Sequence, residues 1–318
     1  MACFDVFNGD ADGICALHQL RLAEPLDGVL ITGIKRDIGL LHRVEAAAGD
    51  RVTVLDISLA QNREALDRLL ERGVSVRYFD HHFAGDIPKH PLLQARIDTA
   101  PDVCTSLLVD RFLDGRFRPW AVAAAFGDNL HRSARLAAQT LSLDEAQLDR
   151  LRELGVCLNY NGYGESLDDL FYHPAELYRR MRPYTDPFAF VAEEPAFAQL
   201  RLGYREDMQQ AGAAKPLVEK ETGAIYVLPD TPWSRRASGV FANDLATAHP
   251  RRAHAVLSWR KDGSYTVSVR SPLSRQTGAD ELCRQFENGG GRQGAAGISG
   301  LPAALLDRFI ERFFLAFA

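Results

Sequence analysis

Short apolar runs alternate with amphipathic stretches through the first half of the chain. CFDVF (3–7) precedes ICALHQLRLAE (14–24), and GVLITGI (28–34) precedes IGLLHRVEAAAG (38–49). RVTVLDIS (51–58) precedes LAQNREALDRLLERG (59–73), and VSVRYFD (74–80) follows. Strand-like runs alternating with helix-like ones predict βαβ units and a parallel sheet. Gly28, Gly49 and Gly73 close the three helical runs and read as helix stops. Residues 102–160 read as mainly helical, because VCTSLLVDRFL, PWAVAAAFGDN and SLDEAQLDRLRELG carry three- and four-residue apolar spacing.

Residues 161–230 are mixed and interrupted by Pro174, Pro183, Pro187, Pro195 and Pro216. From about residue 224 the pattern turns to strands: AIYVLP, AHAVLSWR and SYTVSVRS, with KDG as a hairpin turn between the last two. NGGGRQGAAG (288–297) reads as a glycine-rich loop before a final helix. The fold class expected is therefore α/β. A doubly wound parallel sheet domain spans 1–190, a linker 191–222, and a smaller C-terminal α/β domain 223–318, with the active site in the cleft between the domains.

Composition changes this picture little. At 318 residues, two domains are the default. The five cysteines have no zinc-knuckle spacing and an odd count, so reduced thiols in a cytoplasmic protein are expected. No apolar run is long enough to span a bilayer, and no signal core opens the chain. The net charge of −5 is uneven: residues 233–318 carry +5 and the remainder −10. An acidic front and a basic tail suit a metal-binding domain beside a phosphate-binding one.

The chemistry sits where the strands end. Asp10 and Asp12 follow the first, Asp56 the third, and Asp80-His81-His82 the fourth. Loops after the carboxyl ends of a doubly wound sheet line its ligand crevice, so these residues converge there. Buried carboxylates need a partner, and one cation can serve several. Aspartate oxygens with imidazole and no thiolate suit Mn²⁺ ahead of Mg²⁺. Two such ions about 3.5–4 Å apart can activate water and neutralise a phosphoryl group, with Asp56 as the shared carboxylate. Taken singly, each element has a plainer explanation as a turn, a helix cap or a filler histidine. The conjunction is the specific signal.

These residues resemble the DHH phosphoesterase superfamily, which includes single-strand exonucleases, oligoribonucleases and cyclic-dinucleotide phosphodiesterases. GDADG (9–13), VLDIS (54–58), FDHH (79–82) and FGDN (126–129) resemble its four ordered motifs. SVRS (268–271) and GGGRQGAAG (289–297) resemble the DHH-associated substrate domain. The resemblance implies Asp10, Asp12, Asp56, His81 and Asp128 as metal ligands. It makes Asp80 the group that orients a histidine and His82 a phosphate contact, and the metal-bridging water the nucleophile. Arg270, Ser271, Gly289, Gly290, Gly291 and Arg292 would hold a substrate phosphate.

Two positions depart from the family pattern. Asn8 stands where a His or Asp ligand usually precedes the DxD, and an amide oxygen is a weak ligand. Asp5 is the nearby group that could compensate. Arg292 stands where the tail usually has His, and arginine binds phosphate without shuttling protons. The activity expected is Mn²⁺-dependent hydrolysis of very short oligonucleotides or linear dinucleotides to mononucleotides, with two ions bound and Mg²⁺ as the substitute. Tight binding to long nucleic acid and membrane association are not expected, and a homodimer is compatible with the sequence. The alternatives are a hydrolase of pyrophosphate or a nucleoside bisphosphate, and a nucleotide-binding regulatory protein with a weakened metal site. Tyr160, Asn161, Tyr163 and Tyr172 form an aromatic stretch open to base stacking or to plain packing.

Overall fold

A computed structural model of the chain describes residues 1–318. It divides into two compact units, Met1–Leu202 and Gly203–Ala318. Unit 1 carries a five-stranded, all-parallel sheet built from β1 (Cys3–Phe7), β2 (Val29–Ile31), β3 (Arg51–Leu55), β4 (Ser75–Asp80) and β5 (Leu93–Ile97). The strand order is β2-β1-β3-β4-β5, so the sheet reverses direction of growth at β1. Its helices are α1 (Ala11–Ala23), α2 (Arg63–Glu71), α3 (Thr105–Phe112), α4 (Arg118–Gly127), α5 (His131–Ala138), α6 (Glu145–Asn161), α7 (Pro174–Met181) and α8 (Pro187–Glu193). The next helix, α9 (Pro195–Gly212), runs through the boundary between the units.

Both faces of this sheet are buried, as a parallel sheet requires. Phe7, Leu55 and Phe79 face one core, shared with α1, α3, α4 and α6. Phe4, Val6, Val52, Val54, Val76 and Tyr78 face the other, shared with α2 and the segment around Leu40. Within the strands, Asp5 is an internal charge and is closed off by Arg21 of α1, whose Nε and Nη2 reach its carboxylate at 3.0 and 2.5 Å.

The segment 38–49 departs from the helix that its periodicity predicts. Only a single 3-10 turn forms, over Leu40–Arg43. Leu40, Leu41, Val44 and Ala46 still cover the sheet. The Asn62 side chain supplies the backbone partners that a helix would have given, donating to Ile38 O at 2.6 Å and accepting from Leu41 N at 3.1 Å. Gly49 therefore does not end a helix but turns the chain into β3 with φ +86°. Gly28 is likewise not a stop: a Cβ there would come within 2.9 Å of the Asp5 carboxylate. Gly73, at φ +79°, does close α2 as expected.

Unit 2 holds a mixed six-stranded sheet of β6 (Val218–Lys220), β7 (Gly223–Leu228), β8 (Ala253–Trp259), β9 (Ser264–Arg270), β10 (Gly289–Arg292) and β11 (Ala295–Pro302), in the order β10-β11-β9-β8-β7-β6. Its helices are α10 (Pro232–Ala248), α11 (Ala279–Cys283) and α12 (Leu306–Ala316). The β7 and β8 strands are parallel, joined by α10, and the other pairs are antiparallel. The glycine-rich stretch is a hairpin, β10–β11, where a loop was expected. The stretch 191–222, expected as a linker, is mostly helix α9.

Candidate metal centre

The β1 strand ends at Phe7, and the chain folds back at once into α1. Asp10 is the cap of that helix, with Oδ1 accepting from the backbone N–H of Asp12 and Gly13 at 3.0 and 3.1 Å. The two glycines of GDADG permit the tight fold. A Cβ at Gly9 would lie 1.9 Å from Gly33 O, and one at Gly13 would lie 2.2 Å from Asn8 O. Asp12 accepts two backbone N–H bonds at 2.7 Å from Thr105 and Ser106, at the start of α3. The negative side chain thus meets the positive end of a helix.

Asp56 follows β3 in the left-handed backbone region, at φ 60°. That conformation is uncommon for a residue with a Cβ, and it is the kind of local cost found at functional sites. Its Oδ1 accepts from Thr105 Oγ1 at 3.1 Å. His81 follows β4 and is oriented by a 2.9 Å bond between Nδ1 and Val103 O, which makes Nδ1 the donor. Nε2 is left facing Asp56 Oδ1 at 3.4 Å, Asp12 Oδ2 at 3.9 Å and Asp128 Oδ2 at 3.9 Å. Asp128 caps the C-terminus of α4. Four elements therefore deliver ligand-type atoms to one place. Those of Asp12, His81 and Asp128 lie within 4.8 Å of one another, as do those of Asp56, His81 and His82.

The electrostatics of this cluster call for a cation. Asp10, Asp12 and Asp56 are each no more than 2% exposed. Burial, reinforced by Asp12, Asp10, Asp128 and Asp80, pushes the Asp56 carboxyl well above the usual range. Burial likewise raises Asp128, to about 6, with Asp12 and Asp10 adding and Lys35 opposing. Buried like charges cannot all ionise without compensation. Oxygen donors with one imidazole and no thiolate fit a hard divalent ion such as Mn²⁺ or Mg²⁺. Asp80, fully buried, holds His82 Nδ1 at 2.7 Å through Oδ1, while its Oδ2 has no hydrogen-bond partner. Burial works against the His82 cation, but the Asp80 hydrogen bond and charge outweigh it and raise that imidazole above its usual value.

One residue of the cluster was not foreseen. Lys35, in the loop after β2, places Nζ at 2.5 Å from Asp10 Oδ2, 3.0 Å from Asn159 Oδ1 and 3.5 Å from Asp128 Oδ1. Burial disfavours its charge, but Asp10, Tyr163 and Asp128 raise it well above the usual lysine value. The same ammonium turns the tendency of buried Asp10 downward, below the ordinary carboxylate range. Lys35 also lies in the loop beyond the carboxyl end of a strand of the same sheet, so the strand-end rule that found the aspartates extends to it. Asn8 does not point a free oxygen at the carboxylates: its Oδ1 accepts from Asp10 N at 3.3 Å, and its Nδ2 donates to Lys35 O at 3.3 Å. Asp5 cannot compensate, because Arg21 occupies it.

Lys35, Asn159 and Tyr163 tie the aromatic stretch to this centre, with Asn159 Nδ2 donating to the Tyr163 hydroxyl at 2.9 Å. Tyr160 is buried against Tyr163 and Phe171 and packs rather than stacking on a ligand.

The remaining expected residues lie in unit 2. Ser271 is buried, and its hydroxyl donates to Gln293 O at 2.8 Å, fastening the turn of the β10–β11 hairpin. Arg270 reaches α10, with Nε donating to Asn243 Oδ1 at 2.6 Å. A Cβ at Gly289 would lie 1.9 Å from Cys283 O, and one at Gly291 (φ +140°) would lie 2.5 Å from Ala296 Cα. Around Gly290 there is open space, and Arg292 is exposed.

No protein-family model matches the sequence, and no curated protein does. Solved structures do. Exonuclease RecJ bound to manganese superposes with a TM-score of 0.62 at 17% identity, over 99% of this chain and 90% of that one. RecJ from Thermus thermophilus in complex with Mn²⁺ gives 0.61 at 18%, over 99% of this chain. This chain spans about half of that protein, 52% of its length. A pGpG-specific phosphodiesterase, PggH from Vibrio cholerae, gives 0.55 at 12%, over 100% of this chain and 99% of that one. The chain has the fold of these proteins. In this fold the reversal of strand order at β1 puts Asp10 and Asp56 just beyond the carboxyl ends of the adjacent strands β1 and β3, where a doubly wound sheet places its ligands. No helix is long and apolar enough to cross a membrane.

Proposed function

We propose that the protein is a divalent-metal-dependent phosphodiesterase that hydrolyses very short oligonucleotides or linear dinucleotides to mononucleotides. The observation that carries this reading is the convergence of Asp12, Asp56, His81 and Asp128 within a few ångströms, at the strand ends of a DHH fold. Asp12, Asp56, His81 and Asp128 would hold the ion, and Mn²⁺ would be preferred because imidazole joins the carboxylates. When bound, the ion supplies Lewis acidity to a phosphoryl oxygen and lowers the pKa of a water.

The chain's own groups do the rest. Thr105 and Ser106 fix Asp12 through their backbone N–H groups, and Val103 O fixes the His81 tautomer. Asp80 favours the protonated form of His82 by holding its Nδ1, and the exposed imidazole is the group that would meet a phosphate oxygen and give a proton to the leaving group. In unit 2, the exposed Arg292 and the open backbone at Gly290 would hold a substrate phosphate, with Ser271 bracing that hairpin and Arg270 held against α10. The likeness to a pGpG-specific phosphodiesterase over both whole chains favours a linear dinucleotide as substrate.

The test is a panel assayed with Mn²⁺: a 5′-phosphorylated dinucleotide, pyrophosphate, adenosine 3′,5′-bisphosphate and a long single strand. Turnover fastest on the dinucleotide is expected, and pyrophosphate as the only substrate turned over would overturn the reading. His81→Ala is expected to lose Mn²⁺-stimulated hydrolysis by at least about a hundredfold, since losing even a group that only orients a ligand costs about 10–100-fold. Full activity in that variant would remove His81 from the ligand set.

A further inference from the structure

The resemblance to the family implies two ions, and one end of this centre does not fit a second. Asp10, Asn8 and Asp56 are the residues that would have to hold it. Asp10 is committed on both oxygens, Oδ1 to the backbone of Asp12 and Gly13 and Oδ2 to Lys35 Nζ. Asn8 is committed on both side-chain atoms, to Asp10 N and Lys35 O. The position beside Asp10 that a second cation would take is filled by an ammonium.

That ammonium is built in, not a stray side chain. The Lys35 backbone N–H donates to Gly162 O at 2.8 Å, and Asn159 Oδ1 accepts from Nζ at 3.0 Å. Asn159 is in turn held by the Tyr163 hydroxyl, and the Tyr163 ring lies 5.9 Å from Nζ. Asn8 accepts the Asp10 N–H and holds the Lys35 carbonyl, so the residue that replaces a usual ligand positions the lysine. A divalent ion beside Asp10 would meet this fixed positive charge at close range, which Coulomb repulsion opposes strongly in a poorly solvated site.

We propose that Lys35 takes the place of one cation, so that the centre binds a single divalent ion through Asp12, Asp56, His81 and Asp128 while the Lys35 ammonium permanently neutralises Asp10. Asn8 and Lys35 then form one device. Asn8 serves as a positioning residue for Lys35. This rests on the metal-dependent reading proposed above.

The test counts ions without using activity. The full chain is stripped with chelator and titrated with Mn²⁺ by calorimetry, and the loaded protein is examined by electron paramagnetic resonance. One Mn²⁺ per chain is expected, with the spectrum of a magnetically isolated ion. The Asn8→His/Lys35→Met double variant is expected to take two, with exchange-coupled signals. Two coupled ions in the unaltered protein would overturn the lysine assignment and leave the metal-dependent function standing. A single ion in the folded double variant, with circular dichroism unchanged, would also overturn it. No binding of Mn²⁺ by the unaltered protein would overturn the proposed function and this inference together.

Discussion

Asp56 concentrates two costs in one residue: a left-handed backbone at φ 60° and a buried carboxyl repelled by Asp12, Asp10 and Asp128. Both are relieved by glycine, which adopts that conformation freely and carries no charge. Asp56→Gly is therefore expected to stabilise the metal-free protein by about 1–3 kcal/mol. The same change removes the gain in melting temperature that Mn²⁺ gives the unaltered protein. Thermal denaturation in chelator and in Mn²⁺ checks both halves, and a loss of stability in chelator would show that the backbone is not strained there. His18 behaves differently because no ligand is involved. Burial lowers its pKa to about 4, against a 2.8 Å bond to Tyr184 O, and it stacks edge-on to Trp120 at 4.6 Å. A lowered histidine means that the unfolded chain binds more protons between the two pKa values, so stability rises with pH in that window. Falling from about pH 6.5 to 4 should thus cost unit 1 about 3 kcal/mol, at about 1.4 kcal/mol per pH unit. Urea titrations across that range should show the slope, and His18→Phe should flatten it; an unchanged slope in the variant would assign the acid sensitivity elsewhere.

Elements in this fold are set by close backbone approach as much as by periodicity. The helices α4 and α6 touch through Gly127 and Gly155, and a Cβ at Gly155 would lie 1.9 Å from Ala123 O. Gly155→Ala is expected to separate the two helices and cost at least about 1–3 kcal/mol, measured by chemical denaturation. The three glycines of β10 divide in the same way. Gly289 and Gly291 have no room for a Cβ, whereas Gly290 has nothing within 4 Å. Gly289→Ala and Gly291→Ala should destabilise unit 2. Gly290→Ala should leave the fold intact and raise KM for a dinucleotide, as expected of a backbone that approaches a phosphate; an unchanged KM would show that Gly290 does not meet substrate. The alternating pattern made β1, β3, β4, α1, α2, β7, β8 and β9 legible in the sequence, because each has an apolar face of regular period. It failed at 38–49, where helical spacing is met by a segment that is buried and held by Asn62 without forming a helix. It passed over α10, whose period is broken by Arg235, Arg236 and Gly239, and over the half-exposed edge strand β5.

The chain as a whole carries −5, with the excess of positive charge confined to its last third. Affinity for long nucleic acid grows with the number of phosphates neutralised and falls steeply with salt. A substrate gripped at one or two phosphates should show little of this. Between about 50 and 200 mM salt, kcat/KM for a dinucleotide is expected to fall less than about tenfold, well short of the losses of multi-phosphate binders. A steep decline would point to a longer strand held along the basic tail. What the sequence by itself determined is the order of the strand-end motifs, the donor types and the departures at Asn8 and Arg292, since covalent order and residue chemistry are visible without folding. Only the tertiary structure decided which of those donors share one space and how each is oriented. Thr105 and Ser106 aim Asp12, Val103 aims His81, and Asp80 aims His82, all through contacts that no periodicity encodes. Lys35 illustrates the difference best. In sequence it is one charge among 37 lysines and arginines, 25 residues beyond Asp10, and only the parallel pairing of β2 with β1 brings its ammonium onto that carboxylate.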